Sequence, residues 1–313
     1  MFILQQFNIL HSNRGIDMSW LVYAILGVGL AGAAPVFAKS GMRKCSSDLA
    51  AAVYGTVLFI AVNCMVSFTD TPLDLTKLEK TAFMYLLFSG FAIGAAWLCL
   101  FRALKRGAIN GIIPVLEASL VIDILAGIVI FHDGLSVNKI VILVLLTTGA
   151  VLMAMCTGGK RKSTKKGKGT WLNYALGAMV FTSLAALLER IGLGGINEYL
   201  KRLVCYAIAL IVAWVFTFAT GSQNGMRSMS FLDGIYVSLS GACVGGAQYC
   251  FYKAALVSGG FNVEIIALFD LAAAVIFGYT FMKERLSTRA VFGMILMLAG
   301  FLFWHMNLPV VPL

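Results

Sequence analysis

Long apolar runs alternate with short polar breaks along the whole chain. Crossing the hydrocarbon of a bilayer as a helix takes about 20 apolar residues, with a range of about 17–25. Runs of that kind predict ten helices, at residues 20–37, 49–68, 82–101, 112–131 and 140–156, then 171–188, 203–220, 232–252, 263–282 and 291–306. Most connections are short. The central one, 157–170, reads TGGKRKSTKKGKGT and is polar, glycine-rich and strongly basic, which predicts a solvated linker. The segment before the first run, MFILQQFNILHSNRGID, lacks the charged start and small-residue cleavage site of a secretory signal. It reads as an interfacial tail, or translation begins at Met18.

Composition sharpens this pattern. Of 313 residues, 60% are hydrophobic and only 12% charged, with a mean hydropathy of +0.90. A soluble domain holds about 25% charged residues, so a chain this apolar cannot cover itself with polar surface in water. A soluble globule, a disordered or fibrous chain and a secreted disulfide scaffold are all excluded. The fold class is an all-α polytopic membrane protein. The net charge of +10 comes from Lys and Arg set between the apolar runs, where they orient the chain and meet lipid head groups rather than nucleic acid. Seven cysteines include no CxxC pair, and Cys64, Cys99, Cys156, Cys205, Cys243 and Cys250 lie in or at the ends of apolar runs. Cysteine behaves there as a small hydrophobe, so neither disulfides, metal nor any other cofactor is expected.

One constant shift of 151 residues superposes the two halves without a gap. SWLVYA at 19–24 falls on TWLNYA at 170–175, and Ala38-Lys39 falls on Glu189-Arg190. SGFAIGAAWLCLFRA at 89–103 falls on SGACVGGAQYCFYKA at 240–254, HDGLS at 132–136 on KERLS at 283–287, and Gly149 on Gly300. The division is therefore a tail (1–18), a first repeat (19–156), the linker (157–170), a second repeat (171–307) and a short tail (308–313). Each half holds five predicted spans. An odd number makes the second half enter the membrane from the opposite side, giving two inverted five-helix repeats. Inverted repeats characterise secondary carriers, with the ligand near the midplane between the halves.

Two five-helix halves, a Lys or Arg closing the first helix of each, the SGxxxGAxWxCxxRA stretch and the acid-x-Leu-Ser turn before each last helix resemble the EamA transporters of the drug/metabolite transporter superfamily. The resemblance covers nearly everything from Trp20 to Met306. His132-Asp133-Gly134 departs from the more usual Gly-Glu-Arg, which the second half approximates with Lys283-Glu284-Arg285. The resemblance implies a ten-helix carrier or exporter of small metabolites, with the first, third and fourth helices of each half lining a central cavity.

Charges inside spans are the best candidates for function, since each costs about 2.5–3.5 kcal/mol on insertion scales. Four acids fall on the fourth helices: Glu117 and Asp123, then Glu264 and Asp270. Shifted back by 151, the second pair occupies positions 113 and 119. Four residues turn a helix by about 40° beyond a full turn, so Glu117 and Glu264 share related faces, as do Asp123 and Asp270. Carboxylates arranged so would look into one cavity and bind an amine or couple protons; meeting water or a helix dipole near span ends is the plainer alternative for Glu117 and Glu264. Trp97, Gln248 and Tyr249 lie mid-way along the third helices, and Trp97 and Gln248 are repeat-related. A mid-membrane Gln needs a partner, and Trp97 could stack on a substrate or simply pack. Lys39 with Arg190, and Arg102 with Lys253, form repeat-related basic pairs at span ends. They either snorkel to the interface, or hold an anion or gate ion pairs. Gly90-x-x-x-Gly94 and Gly241-x-x-x-Gly245 predict close helix packing. Asn110 and Asn262 are expected to cap the fourth helices, and Pro114 to sit in a first turn.

No phosphate-binding Gly-Lys-Ser/Thr loop and no HExxH or GxSxG motif occurs, so neither ATP-driven transport nor enzymatic catalysis is expected. Sixteen Lys and Arg fall on the linker's side and eight on the other, which places the linker in the cytoplasm and both termini outside; the family resemblance implies the reverse. The expected function is transport of a small polar metabolite such as an amino acid, by export or exchange, in a bacterial plasma membrane, with lipids and a small molecule as partners and proton coupling as an option. A lipid-amphiphile flippase and a non-transporting scaffold are the rival readings.

Overall fold

In the computed structural model, residues 19–67, 80–132, 134–156, 170–192, 198–227, 229–258, 263, 266–267, 269–284 and 286–306 are described. Eleven α-helices occur among them. The first half supplies α1 (Ser19–Ser40), α2 (Ser47–Ser67), α3 (Lys80–Arg106), α4 (Ile109–Glu117), α5 (Ser119–Ile130) and α6 (Val137–Cys156). The second supplies α7 (Thr170–Gly192), α8 (Glu198–Ala219), α9 (Phe231–Ser258), α10 (Asp270–Met282) and α11 (Thr288–His305), with a 3₁₀ turn at Ser222–Arg227. Seven stretches among the described residues are long and apolar enough to cross a membrane, α4 and α5 together forming one of them. The basic linker lies outside the described residues.

Helix starts obey the sequence shift. Ser19 and Thr170, Ser47 and Glu198, Lys80 and Phe231, Ser119 and Asp270, Val137 and Thr288 each open a helix and are 151 residues apart. The loops obey it too: the described non-glycine residues with positive φ are His132 and Lys283, both at 53°. Each lies between a fourth and a fifth helix, where the left-handed conformation turns the chain.

The halves interlock rather than lying side by side. α1 packs on α9 as α7 packs on α3, α2 on α9 as α8 on α3, α1 on α10 as α7 on α5, while α6 meets α11 and α2 meets α8. Close approach is built from glycines at the repeated spacing. A Cβ on Gly90 would stand 2.8 Å from the carbonyl oxygen of Cys205, and one on Gly241 would stand 2.7 Å from that of Tyr54. These contacts lack room for any side chain, which is what lets the backbones meet. The core running between the halves holds Leu49, Leu58, Phe101, Ile112, Leu146, Leu271 and Met297.

The fourth helix differs from the continuous span expected at 112–131. It breaks at Ala118 (φ −67°, ψ 0°), which ends α4 and precedes α5. Val121 N–H bonds three residues back to Ala118 O at 2.9 Å, the tighter 3₁₀ spacing found at helix interruptions. Pro114 lies in the second turn of α4 rather than the first, because the helix opens at Ile109. Having no N–H, it cannot bond the carbonyl of Asn110, which loosens the helix just ahead of the break. The repeat-related Phe269 has the same conformation (φ −78°, ψ −2°) directly before α10.

Candidate functional site

The two interruptions bring acids together. Glu117 is the last residue of α4 and Asp270 the first of α10; each lies in the other's electrostatic field across the contact between these helices. They come from opposite halves and sit at the two repeat-related breaks. The expected partner of Asp270, Asp123, is elsewhere: its Oδ1 accepts a short hydrogen bond from Ser183 Oγ of α7, within the field of Arg190. Glu264 and Asn262 lie outside the described residues. Among the described acids, Glu117 thus lies near Asp270 and Asp123 beside Ser183.

A second cluster fills the centre of the third helices. Gln248 Nε2 donates to Tyr206 Oη at 2.8 Å, while its Oε1 is buried with no hydrogen-bond partner. Tyr206 also meets Trp97, ring centroids 5.6 Å apart, and Tyr54 closes on Trp97 edge-on at 5.5 Å. Trp97 covers Gly55, where a Cβ would come within 2.8 Å of the indole. Only 8% of Trp97 is exposed, so its rings serve packing in this conformation and present no open face for stacking. Positions 55 and 206 are themselves 151 apart, as are 97 and 248: a glycine makes room for the tryptophan in one half, and a tyrosine meets the glutamine in the other. Tyr249 lies with its ring centroid 5.7 Å from Lys253 Nζ.

The basic pairs divide. Lys39 Nζ lies 2.7 Å from Glu284 Oε1 and donates to Gly107 O at 2.7 Å. Arg102 makes a two-pronged bond to Asp48 at 2.8 and 3.0 Å and covers the Phe216 ring at 4.7 Å. Both cations are neutralised by carboxylates of the protein. Arg190 stacks on Phe131 at 4.2 Å.

Asn110 does not cap α4. It lies within the helix, 1% exposed, and both polar atoms of its side chain are without partners. The cap comes instead from Glu284, whose Oε1 and Oε2 accept the N–H groups of Ile109 and Asn110 at 2.9 and 3.1 Å. Sequence reasoning missed Glu284, Ser183, Tyr206 and Asp48. A signal for Glu284 was available: an acid follows the fourth helix in both halves, Asp133 and Glu284, at the same shift as the cations Lys39 and Arg190.

Among the described residues no cluster of His, Cys, Asp and Glu is placed to hold a metal ion. Residues 18–155 match the EamA-like transporter family. An uncharacterized transporter in the cobO 3' region of Sinorhizobium sp. is 28% identical over 140 residues, which covers 45% of this chain and 99% of that protein. The chain is an integral, multi-pass membrane protein, and its residues 18–155 are similar to the EamA-like transporter family.

Proposed function

We propose that this protein is a secondary carrier for a small amine-bearing metabolite, an amino acid or related compound, exported or exchanged across a bacterial plasma membrane. Ten helices, arranged as two inverted repeats at 19–156 and 171–307, rock about a central site. The observation that carries this reading is the pair of repeat-related breaks at Ala118 and Phe269, with Glu117 and Asp270 at their edges. Interrupted membrane helices expose half-helix ends at the midplane, and carriers use such ends to hold charged groups. The C-terminal end of α4 is negative and carries Glu117, which favours an ammonium group or a proton. The N-terminal end of α10 is positive and is met by the carboxylate of Asp270 itself.

Asp123 is a second amine contact beside Ser183, and Glu264 falls on the corresponding helix by the sequence shift. The unpartnered Oε1 of Gln248 is an acceptor for a substrate N–H, with Tyr249 one residue further along the same helix. Protonation of the Glu117–Asp270 pair in exchange for a bound amine would couple transport to the proton gradient.

Release from proteoliposomes loaded with a pooled metabolite extract, read by mass spectrometry against protein-free vesicles, tests the reading. Selective loss of amines is expected, slowed by about tenfold or more in Glu117→Gln and Asp270→Asn, as for removal of one charge-assisted contact. Release of no class, or amine release unchanged in both variants, would sink it.

A further inference from the structure

We propose that Lys39 and Glu284 form a latch that shuts the linker-side face between the two halves, and that Glu284 draws α4 into the latch by capping it from the opposite half. The inference rests on the carrier reading, since it says which contact must open for that face to admit a ligand.

α4 has no cap of its own. Ala108 precedes it with extended backbone (φ −87°, ψ 144°) and no side-chain acceptor, which leaves the first N–H groups of the helix without a local partner. The acceptor arrives from the second half. Lys283, at φ 53°, turns the chain after α10, and the carboxylate of Glu284 then takes the N–H groups of both Ile109 and Asn110. A carboxylate at a helix N-terminus is favoured by the backbone bonds it accepts and by the helix dipole.

Lys39 completes the contact. Its ammonium bonds Gly107 O and Glu284 Oε1, both at 2.7 Å, and so fastens the end of α1, the α3–α4 turn and the α10–α11 turn at one point. The side chains are 23% and 10% exposed; the pair sits at the edge of the protein, where water can replace it when it parts. Location on the linker side follows from Gly107, whose Cβ would lie 3.0 Å from Trp171 at the start of α7.

Below the latch, α4 lies along α10. Asn110 sits against Gly278, where a Cβ would come within 2.7 Å of its Oδ1, and two turns further on Glu117 lies in the electrostatic field of Asp270. Parting α10 from α4 on this face therefore removes the cap, uncovers Asn110 and breaks one of the two bonds by which Lys39 joins Gly107 to Glu284. Ala118 already separates α4 from α5, so α4 can move apart from α10 without bending a continuous helix. By sequence, Arg190 and Asp133 occupy the positions equivalent to Lys39 and Glu284 in the other half.

The test is labelling of Asn110→Cys by a membrane-impermeant maleimide, in the full-length chain freed of its other cysteines and reconstituted in vesicles. With the latch intact the thiol reacts slowly. Adding Glu284→Ala is expected to speed labelling by about tenfold or more, and Lys39→Ala, which leaves the cap of α4 in place and so guards against loss of folding, to speed it in the same direction. An unchanged rate in Lys39→Ala, or fast labelling with the latch intact, would overturn the proposal. No substrate is needed for this measurement: faster labelling in a protein that moves no amine would retain the latch and remove the carrier reading, whereas amine transport with unmoved labelling would do the opposite.

Discussion

Two interfaces occupy equivalent places in the repeat and are built differently. Where α1 crosses α10, Gly32 faces Ala274; a Cβ on Gly32 would come within 2.5 Å of the Ala273 Cβ and 2.8 Å of the Ala274 nitrogen. Where α7 crosses α5, the residues 151 positions away are Ser183 and Asp123, joined by a hydrogen bond. The first is a dry backbone-to-backbone contact. The second holds a carboxylate and a hydroxyl that are equally able to bind each other or a ligand. A shared sequence shift therefore does not make the two halves interchangeable: one crossing is shaped for close packing, and its counterpart holds polar groups.

Exchanging the two designs gives the largest effect. Gly32→Ser with Ala274→Asp inserts the polar pair where the backbones leave no space, and overpacking combined with an unpaired charge in the membrane is expected to abolish folded protein, seen as loss of the monodisperse peak in detergent. A monodisperse, thermally stable double variant would show that the contact can spread, and that the contrast between the crossings is superficial. Next comes the centre, where Trp97 covers Gly55 while Gln248 bonds Tyr206. Trp97→Ala should cost about 3–5 kcal/mol, as for other large core truncations, and lower the thermal midpoint. Gln248→Ala should leave the midpoint nearly unmoved while weakening amine release. Equal stability losses would mean that both residues serve packing. The smallest effect belongs to Ser183→Ala. Hydrogen bonds between membrane helices contribute about 0.6 kcal/mol on average, reaching about 1.7, so a barely shifted melt is expected with a changed response of amine release to external pH. A large destabilisation would make the Ser183–Asp123 contact structural.

Much of the architecture was legible from the sequence because it depends on local pattern. Apolar runs near 20 residues located the seven membrane-length stretches found among the described residues, and the single shift aligned the helix starts to the residue. The Gly90 and Gly241 spacing announced close approach, since the absence of a side chain is itself the packing feature. The break at Ala118 was hidden because alanine signals nothing in an apolar run; only Pro114, four residues earlier, hinted at it. The trans cap by Glu284 was hidden for a different reason. A helix N-terminus without a local cap has many possible acceptors, and the one used is 175 residues away from Ile109.

The candidate site divides along the same line. Sequence alone determined which residue types lie in the membrane and which are repeat-related, because hydropathy and a constant offset are properties of the chain. It singled out Glu117, Asp123, Asp270, Lys39 and Gln248. Which of these meet was decided by the tertiary structure. The packing of α4 on α10 put Glu117 in the field of Asp270, the α5–α7 crossing gave Asp123 to Ser183, and the turn at Lys283 gave Lys39 to Glu284. Partners across an interface depend on crossing geometry and on where a helix stops, and neither is written in the periodicity of a single helix.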